Sequence, residues 1–383
     1  MTRFLILWLM VGGVGFLAAA KPRLRSMNGR VEIDLPVPTA EARKLHRELR
    51  IADLHADSLL WPRDLGVRST EGQVDIPRLL EGNVSLQVFS VVTKVPKGQN
   101  PVRNRGDTDV IPLLAKSSGW PSKTWGSTYE RALHQARAFD TLVTRMKGAL
   151  IPIRTRGDLS RYLSSRSGAD RPSVAGLLAL EGLHMLGGDL SRLDVLYAAG
   201  YRMGGLTHFF DNSVGGSAHG WDKGGMTPFG RKVVARMEAL GMVVDLAHAS
   251  PKVVDDVLEI AKKPVVVSHT GVRGTCDRVR NLSDDQIDRI AKTGGVIGIG
   301  YWRGAICTAH PDGVARAVRY VAERVGIEYV GLGSDYDGAV STAFDASELV
   351  VVTDALLRAD FNPSQVRAIM GGNVLRVLGS ALP

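Results

Sequence analysis

Residues 241–271 read GMVVDLAHASPKVVDDVLEIAKKPVVVSHTG, and this stretch decides the fold. Residues 242–246 are a short apolar run rich in β-branched side chains, which favours a strand. Residues 251–261 repeat their apolar positions at helical spacing, and Ser250 stands where an N-cap belongs. Residues 264–267 form a second apolar run. A strand, a helix and a strand in succession make a crossover unit with parallel strands. Both runs end in histidine, VVDLAH at His248 and VVVSH at His269.

The same unit repeats in both directions. Downstream, 283–292 reads as a helix with a Ser N-cap and Gln286 three residues on, 295–300 as a strand, 314–325 as a helix and 329–333 as a strand. The remainder reads as helical, with a break at Gly371-Gly372. Upstream, 228–240 is a helix opened by Thr227, 201–207 a strand, 190–199 a helix and 174–180 a strand. Before them come helical spacing at 129–146, an apolar run at 84–92, and a first strand beginning at Ile51 behind a short amphipathic helix at 40–49. Eight continuous apolar strands alternating with helices predict a parallel sheet covered on its outside. That count favours a closed (β/α)8 TIM barrel over an open doubly wound sheet. No GxGxxG follows the first strand, which argues against a dinucleotide site.

Composition is consistent with one large globular domain. The chain has 383 residues, 44% hydrophobic and 23% charged. Its formal charge of +9 is spread among acids and apolar residues with no dense basic tract, so a basic soluble surface is expected rather than nucleic-acid binding. The two cysteines, Cys276 and Cys307, exclude thiolate zinc sites; they are one disulfide or two free thiols. Arg3 and the apolar run 4–20, ending in Ala18-Ala19-Ala20, predict that 1–25 is a cleaved export signal, with an uncleaved membrane anchor as the rival. Location is then periplasmic, extracellular or tethered to the membrane by this segment alone. Residues 26–40 read as a linker and 41–383 as the catalytic barrel. Residues 93–127, polar and rich in Pro and Gly, read as an inserted loop, either a lid on the barrel or a disordered excursion.

Catalytic groups of such barrels sit at the C-terminal strand ends. Here His55 and Asp57 close the first strand, and residues two apart point to one side of a strand. Glu181, His208, His248, His269 and Asp335 close five others. Charged groups at such positions are rarely buried unless paired or metal-bound. The donors suffice for two divalent ions, one on His55 and Asp57, one on His248 and His269, with Glu181 bridging. Zn²⁺ suits them, and Mn²⁺, Co²⁺ or Fe²⁺ would fit the same set. Two ions ~3.5–4 Å apart would hold a water and bring its pKa to near ~7. Asp335 is then placed to take its proton and return it to a leaving amine. His184 and His219 are further pocket candidates; His46, His134 and His310 are expected at the surface.

DLHAD at 53–57, Glu181-Gly182, LTH at 206–208, DLAH at 245–248, SH at 268–269, RN at 280–281, GLGSDYDG at 331–338 and GGNVLRV at 371–377 together resemble the membrane dipeptidase (renal dipeptidase) family, peptidase family M19. The resemblance covers roughly 45–380. It implies a zinc-dependent dipeptidase using two zinc ions bridged by Glu181, held also by His55 and Asp57 and by His248 and His269, with Asp335 as acid–base group. It further implies that His208 contacts the substrate carbonyl and that Arg280 pairs with the C-terminal carboxylate of a dipeptide, in some members one ending in a D-residue. A homodimer is a compatible assembly. The alternatives are an amidohydrolase acting on N-acyl-amino acids, lactams or lactones, and a catalytically silent binding protein on the same barrel.

Overall fold

The computed structural model describes residues 27–166 and 172–383; the expected export signal or anchor at 1–25 lies outside them. Nine parallel strands form the sheet among the described residues: β1 (Ile51–Ala56), β2 (Val84–Val91), β3 (Leu150–Pro152), β4 (Val174–Leu180), β5 (Tyr201–Gly205), β6 (Val243–Asp245), β7 (Val266–Thr270), β8 (Val296–Ile299) and β9 (Val330–Leu332). β2 pairs with β4 from Leu86↔Ala175 to Val91↔Leu180, and β1 pairs with β9 at Asp53↔Leu332. Those two pairings close eight strands into the expected barrel. β3 was not foreseen. It is three residues long, pairs only with the first residues of β4, and stands outside the ring.

The helices start where the local chemistry says they should. Thr227, Ser250 and Ser283 each accept a hydrogen bond from the N–H three residues on, and Gln286 completes the capping box. Beneath the barrel, Val243, Val266 and Val296, the first residues of three strands, pack with Val374, Val377 and Leu378 of the last helix, Asn373–Ala381. This end is filled with side chains, so chemistry is left to the other.

Three expectations need correction. Residues 334–349 are not helical: they form a long loop after β9 and a single 3-10 turn, and the helices of this region are Val350–Arg358, Pro363–Arg367 and Asn373–Ala381. His46 is buried rather than at the surface, its ring nitrogens bonded to Thr353 Oγ1 at 2.8 Å and to Gly82 O at 3.2 Å. Residues 93–127 are ordered. They carry the helix Ile111–Ser117, and Ile111, Leu114, Ala115 and Trp120 make a small core of their own with Leu60 and Val92. The expected linker is laid on the barrel: Val31 N–H donates to Thr342 O, and Thr39 N–H to Asp354 Oδ1.

Candidate metal centre

Parallel strands all end on one face, and there the loops deliver the side chains. His55 and His269 lie in β1 and β7; Asp57 and Glu181 directly follow β1 and β4. His208, His248 and Asp335 come three residues past β5, β6 and β9. His248 and Asp335 both have left-handed backbone, φ 61° and 60°, unusual for residues with a side chain and concentrated at functional sites.

The side chains converge on one carboxylate. Glu181 Oε1 lies 3.0 Å from His248 Nε2, 3.5 Å from His269 Nε2 and 3.6 Å from His55 Nε2. Glu181 Oε2 is 3.4 Å from His208 Nε2. His55 Nε2 is also 3.4 Å from Asp57 Oδ1 and 4.0 Å from Asp335 Oδ1. All seven are buried. His55, Asp57, Glu181, His248 and His269 thus meet as foreseen, with His208 and Asp335 against them.

A cation fits this donor set. His248 Nε2 and His269 Nε2 are 2.9 Å apart, so at most one could carry a proton between them. His55 Nε2 and Asp57 Oδ1 are buried with no hydrogen-bond partner. Burial drives the Glu181 carboxyl well up, and the Asp57 charge adds to that. Burial lifts Asp335 to about 7 against the opposing pull of His55 and Arg280. Burial likewise holds His208, His248 and His269 well below the usual imidazole range, hence as neutral donors. At His55 burial is outweighed by Asp57 and Glu181, which raise it to about 10. Lone pairs and negative charges crowded in a dry site are what a divalent ion relieves.

Sequence reasoning passed over the groups behind the ligands. Ser268 Oγ donates to Asp245 Oδ2 at 2.6 Å and lies 2.9 Å from His269 Nδ1. With Nδ1–H donating to that hydroxyl, the His269 Nε2 lone pair faces the cluster. The signal was present, because Asp245 and Ser268 are the polar residues inside DLAH and SH. Asp337 accepts from Ser58 Oγ, Arg63 and the Gln73 N–H, and so ties down the loop that carries Asp335. Arg280 sits at the wall. Its Nη2 donates to His269 O at 2.6 Å, its guanidinium lies 5.1 Å from the Trp302 ring centroid, and its Nε is buried without a partner. Glu181, His208, His248, Arg280, Asp57 and Asp335 open into one cavity of about 1140 Å³, which His219 also lines. His184 is not at this surface; it bonds to Thr93 Oγ1 at 2.7 Å.

A closed parallel barrel with imidazole and carboxylate donors buried on its C-terminal rim defines the class of metal-dependent hydrolases. The family model of membrane dipeptidases, peptidase family M19, matches residues 39–382, and the chain belongs to this family. Dipeptidase tcpJ of Claviceps purpurea is 31% identical over 338 residues, 85% of this chain and 72% of its own length. Dipeptidase verJ of Clonostachys rogersoniana is 33% identical over 255 residues, 65% of this chain and 64% of its own length. Among solved structures, a Rhodobacter sphaeroides metallopeptidase liganded with a phosphinate mimic of L-Ala-D-Ala superposes with a TM-score of 0.70 at 22% identity, over 87% of this chain and 99% of its own. The probable dipeptidase PvdM of Pseudomonas aeruginosa superposes with 0.73 at 20% identity, over 89% of this chain and 97% of its own. The chain is therefore a hydrolase, a metallopeptidase that cleaves dipeptides.

Proposed function

We propose that the chain is an exported dipeptidase that binds two zinc ions through His55, Asp57, Glu181, His248 and His269. The observation that carries this reading is the position of Glu181, whose Oε1 is within 3.6 Å of three imidazole Nε2 atoms at once. A carboxylate shared by two ions would need imidazole donors gathered around it, and these distances support that role for Glu181. When bound, the ions polarise the scissile carbonyl and acidify the attacking water.

The rest is done by the chain. Arg280, with Nε unpaired and the guanidinium steadied by Trp302 and His269 O, receives the C-terminal carboxylate and fixes the dipeptide's direction. His208 Nδ1 is buried with no partner and donates to the carbonyl oxygen as negative charge develops on it. Asp335, 4.0 Å from His55 Nε2, accepts the water's proton and returns it to the leaving amine. A substrate whose C-terminal residue is of D configuration presents its carboxylate to the same Arg280, so both series are candidates. Export is supported by the apolar run 4–20 behind Arg3 and by the Cys276–Cys307 disulfide, a bond suited to an oxidising compartment.

The test is metal analysis of the purified protein together with a panel of L-L and L-D dipeptides and N-acyl-amino acids, with and without chelator. The expected result is about two equivalents of metal and dipeptide hydrolysis that chelator abolishes and Zn²⁺ restores. Well under one equivalent, with no activity regained on adding Zn²⁺, Mn²⁺ or Co²⁺, rejects the reading.

A further inference from the structure

The ring order of the barrel sets two walls of the cavity against each other. Around the ring the strands run β1, β2, β4, β5, β6, β7, β8, β9. Arg280 follows β7. Four places away on either path stands β2, whose following segment is the 93–127 insertion. Glu181 and the histidines lie between them. A dipeptide with its carboxylate on Arg280 and its peptide bond at Glu181 therefore directs its N-terminal residue at the insertion.

That wall is apolar. From the insertion Val95, Val102, Val110, Ile111, Leu113 and Leu114 line the cavity, outnumbering the polar Gln99, Lys116 and Ser117, and Leu60, Trp61 and Val92 extend the apolar face beside them. Its charges are engaged elsewhere: Lys116 Nζ lies over the Trp125 ring, 5.1 Å from the centroid, and Asp337 is held by Ser58, Arg63 and Gln73. The wall is also fixed. Buried Arg131, in the helix Thr128–Arg145, donates to Thr93 O, Thr124 O, Trp125 O and Asp109 Oδ2, all at 2.6–2.8 Å. Four charge-assisted bonds from one guanidinium make the insertion a built part of the site rather than a loop that folds over it. Ligand pockets generally run to about 300–1,000 Å³, and at about 1140 Å³ this one is larger than a pair of small residues can fill.

We infer that the insertion is a specificity wall, and that the enzyme selects dipeptides with a large apolar side chain on the N-terminal residue. This rests on the dipeptidase reading above and adds the substrate class to it. Such a side chain leaves water for the surface of Ile111 and Leu114, and the gain scales with the area it buries.

The experiment is kcat/KM of the zinc-loaded enzyme for Ala-, Leu-, Phe- and Trp-alanine, which share one C-terminal residue. The expected order rises with apolar bulk, with Leu- or Trp-alanine at least about tenfold above Ala-alanine. In Leu114→Asn and Ile111→Thr, confirmed folded by their zinc content, the ratio of Trp- to Ala-alanine should shrink several-fold. Ala-alanine cleaved as well as or better than the bulky substrates, or a ratio unmoved in both variants, overturns the inference while leaving a dipeptidase. Zinc-loaded enzyme that cleaves none of the four, with either L- or D-alanine as the C-terminal residue, overturns the dipeptidase reading and the inference with it.

Discussion

A single hydroxyl shows how finely the ligands are set. Ser268 Oγ stands between Asp245 and His269 and fixes which imidazole nitrogen keeps its lone pair. Ser268→Ala removes that bond and frees the ring to turn, so zinc affinity should fall ~10–100-fold, read by competition with a chromophoric chelator. Unchanged affinity would deny the hydroxyl this role. The proposed ligand set leaves Asp335 for proton transfer. Asp335→Asn should keep the zinc yet lose ~10²-fold or more in kcat, because an amide cannot take up a proton. Near-normal turnover would remove Asp335 from the proton path. Arg280→Ala should raise KM for dipeptides with a free carboxylate and leave C-terminally amidated analogues unaffected; an equal effect on both would reject the carboxylate contact. The proposed ligands, together with His208 and Asp335, were legible because each ends an apolar strand, whereas Arg280, ten residues past β7, was placed only by the family resemblance. Asp337 and Arg63 were not, because their partners are about 270 residues apart in sequence and join only after the barrel closes.

At the level of elements, the helix Ala40–Glu48 is pinned to the helix Val350–Arg358 by His46, whose ring bonds to Thr353. Burial pushes this imidazole down to about 4 from its ordinary 6.5. The neutral form is the one the fold accepts, while the unfolded chain takes up a proton below 6.5. Stability from this group is therefore complete above pH 6.5 and is lost as pH falls from there towards 4, by about 2 kcal/mol at pH 5. His46→Gln should flatten the fall of the urea midpoint between pH 7 and pH 5 relative to the parent. Parallel pH profiles would show that His46 does not drive the acid loss. Burial also holds His184 and His219 low, to about 3 and about 4, so an acid slope should persist in the variant. The strands of the barrel were readable as unbroken apolar runs. Burial of His46 was readable too, since Ala42, Leu45 and His46 share one helical face. Two elements carried no such signal. β3 is too short to show a period, and the 93–127 insertion, besides its small apolar core, is tied down by Arg131 from the next helix, a contact no local pattern announces.

The residues proposed as metal ligands join distant parts of the molecule at its working end. His55 and Asp57 come from β1, Glu181 from β4, His248 and His269 from the ends of β6 and β7, so the donors are drawn from both halves of the ring. The unfolded chain scatters them over more than two hundred residues and binds zinc poorly. On the proposed zinc reading, metal should stabilise the native barrel by mass action, by about 4 kcal/mol when free metal is a thousandfold above Kd. Stripping it should lower Tm by roughly 5–10 °C. The Cys276–Cys307 bond also braces this end, by joining the loops after β7 and β8 across 31 residues. Its contribution is separable, because a reductant removes it and a chelator does not. Glu181→Gln makes the assignment specific: the substitution keeps the side chain's size but removes the shared anion, so its Tm should no longer respond to chelator. A chelator shift of full size in that variant would mean that the metal stabilising the fold is bound somewhere other than at Glu181.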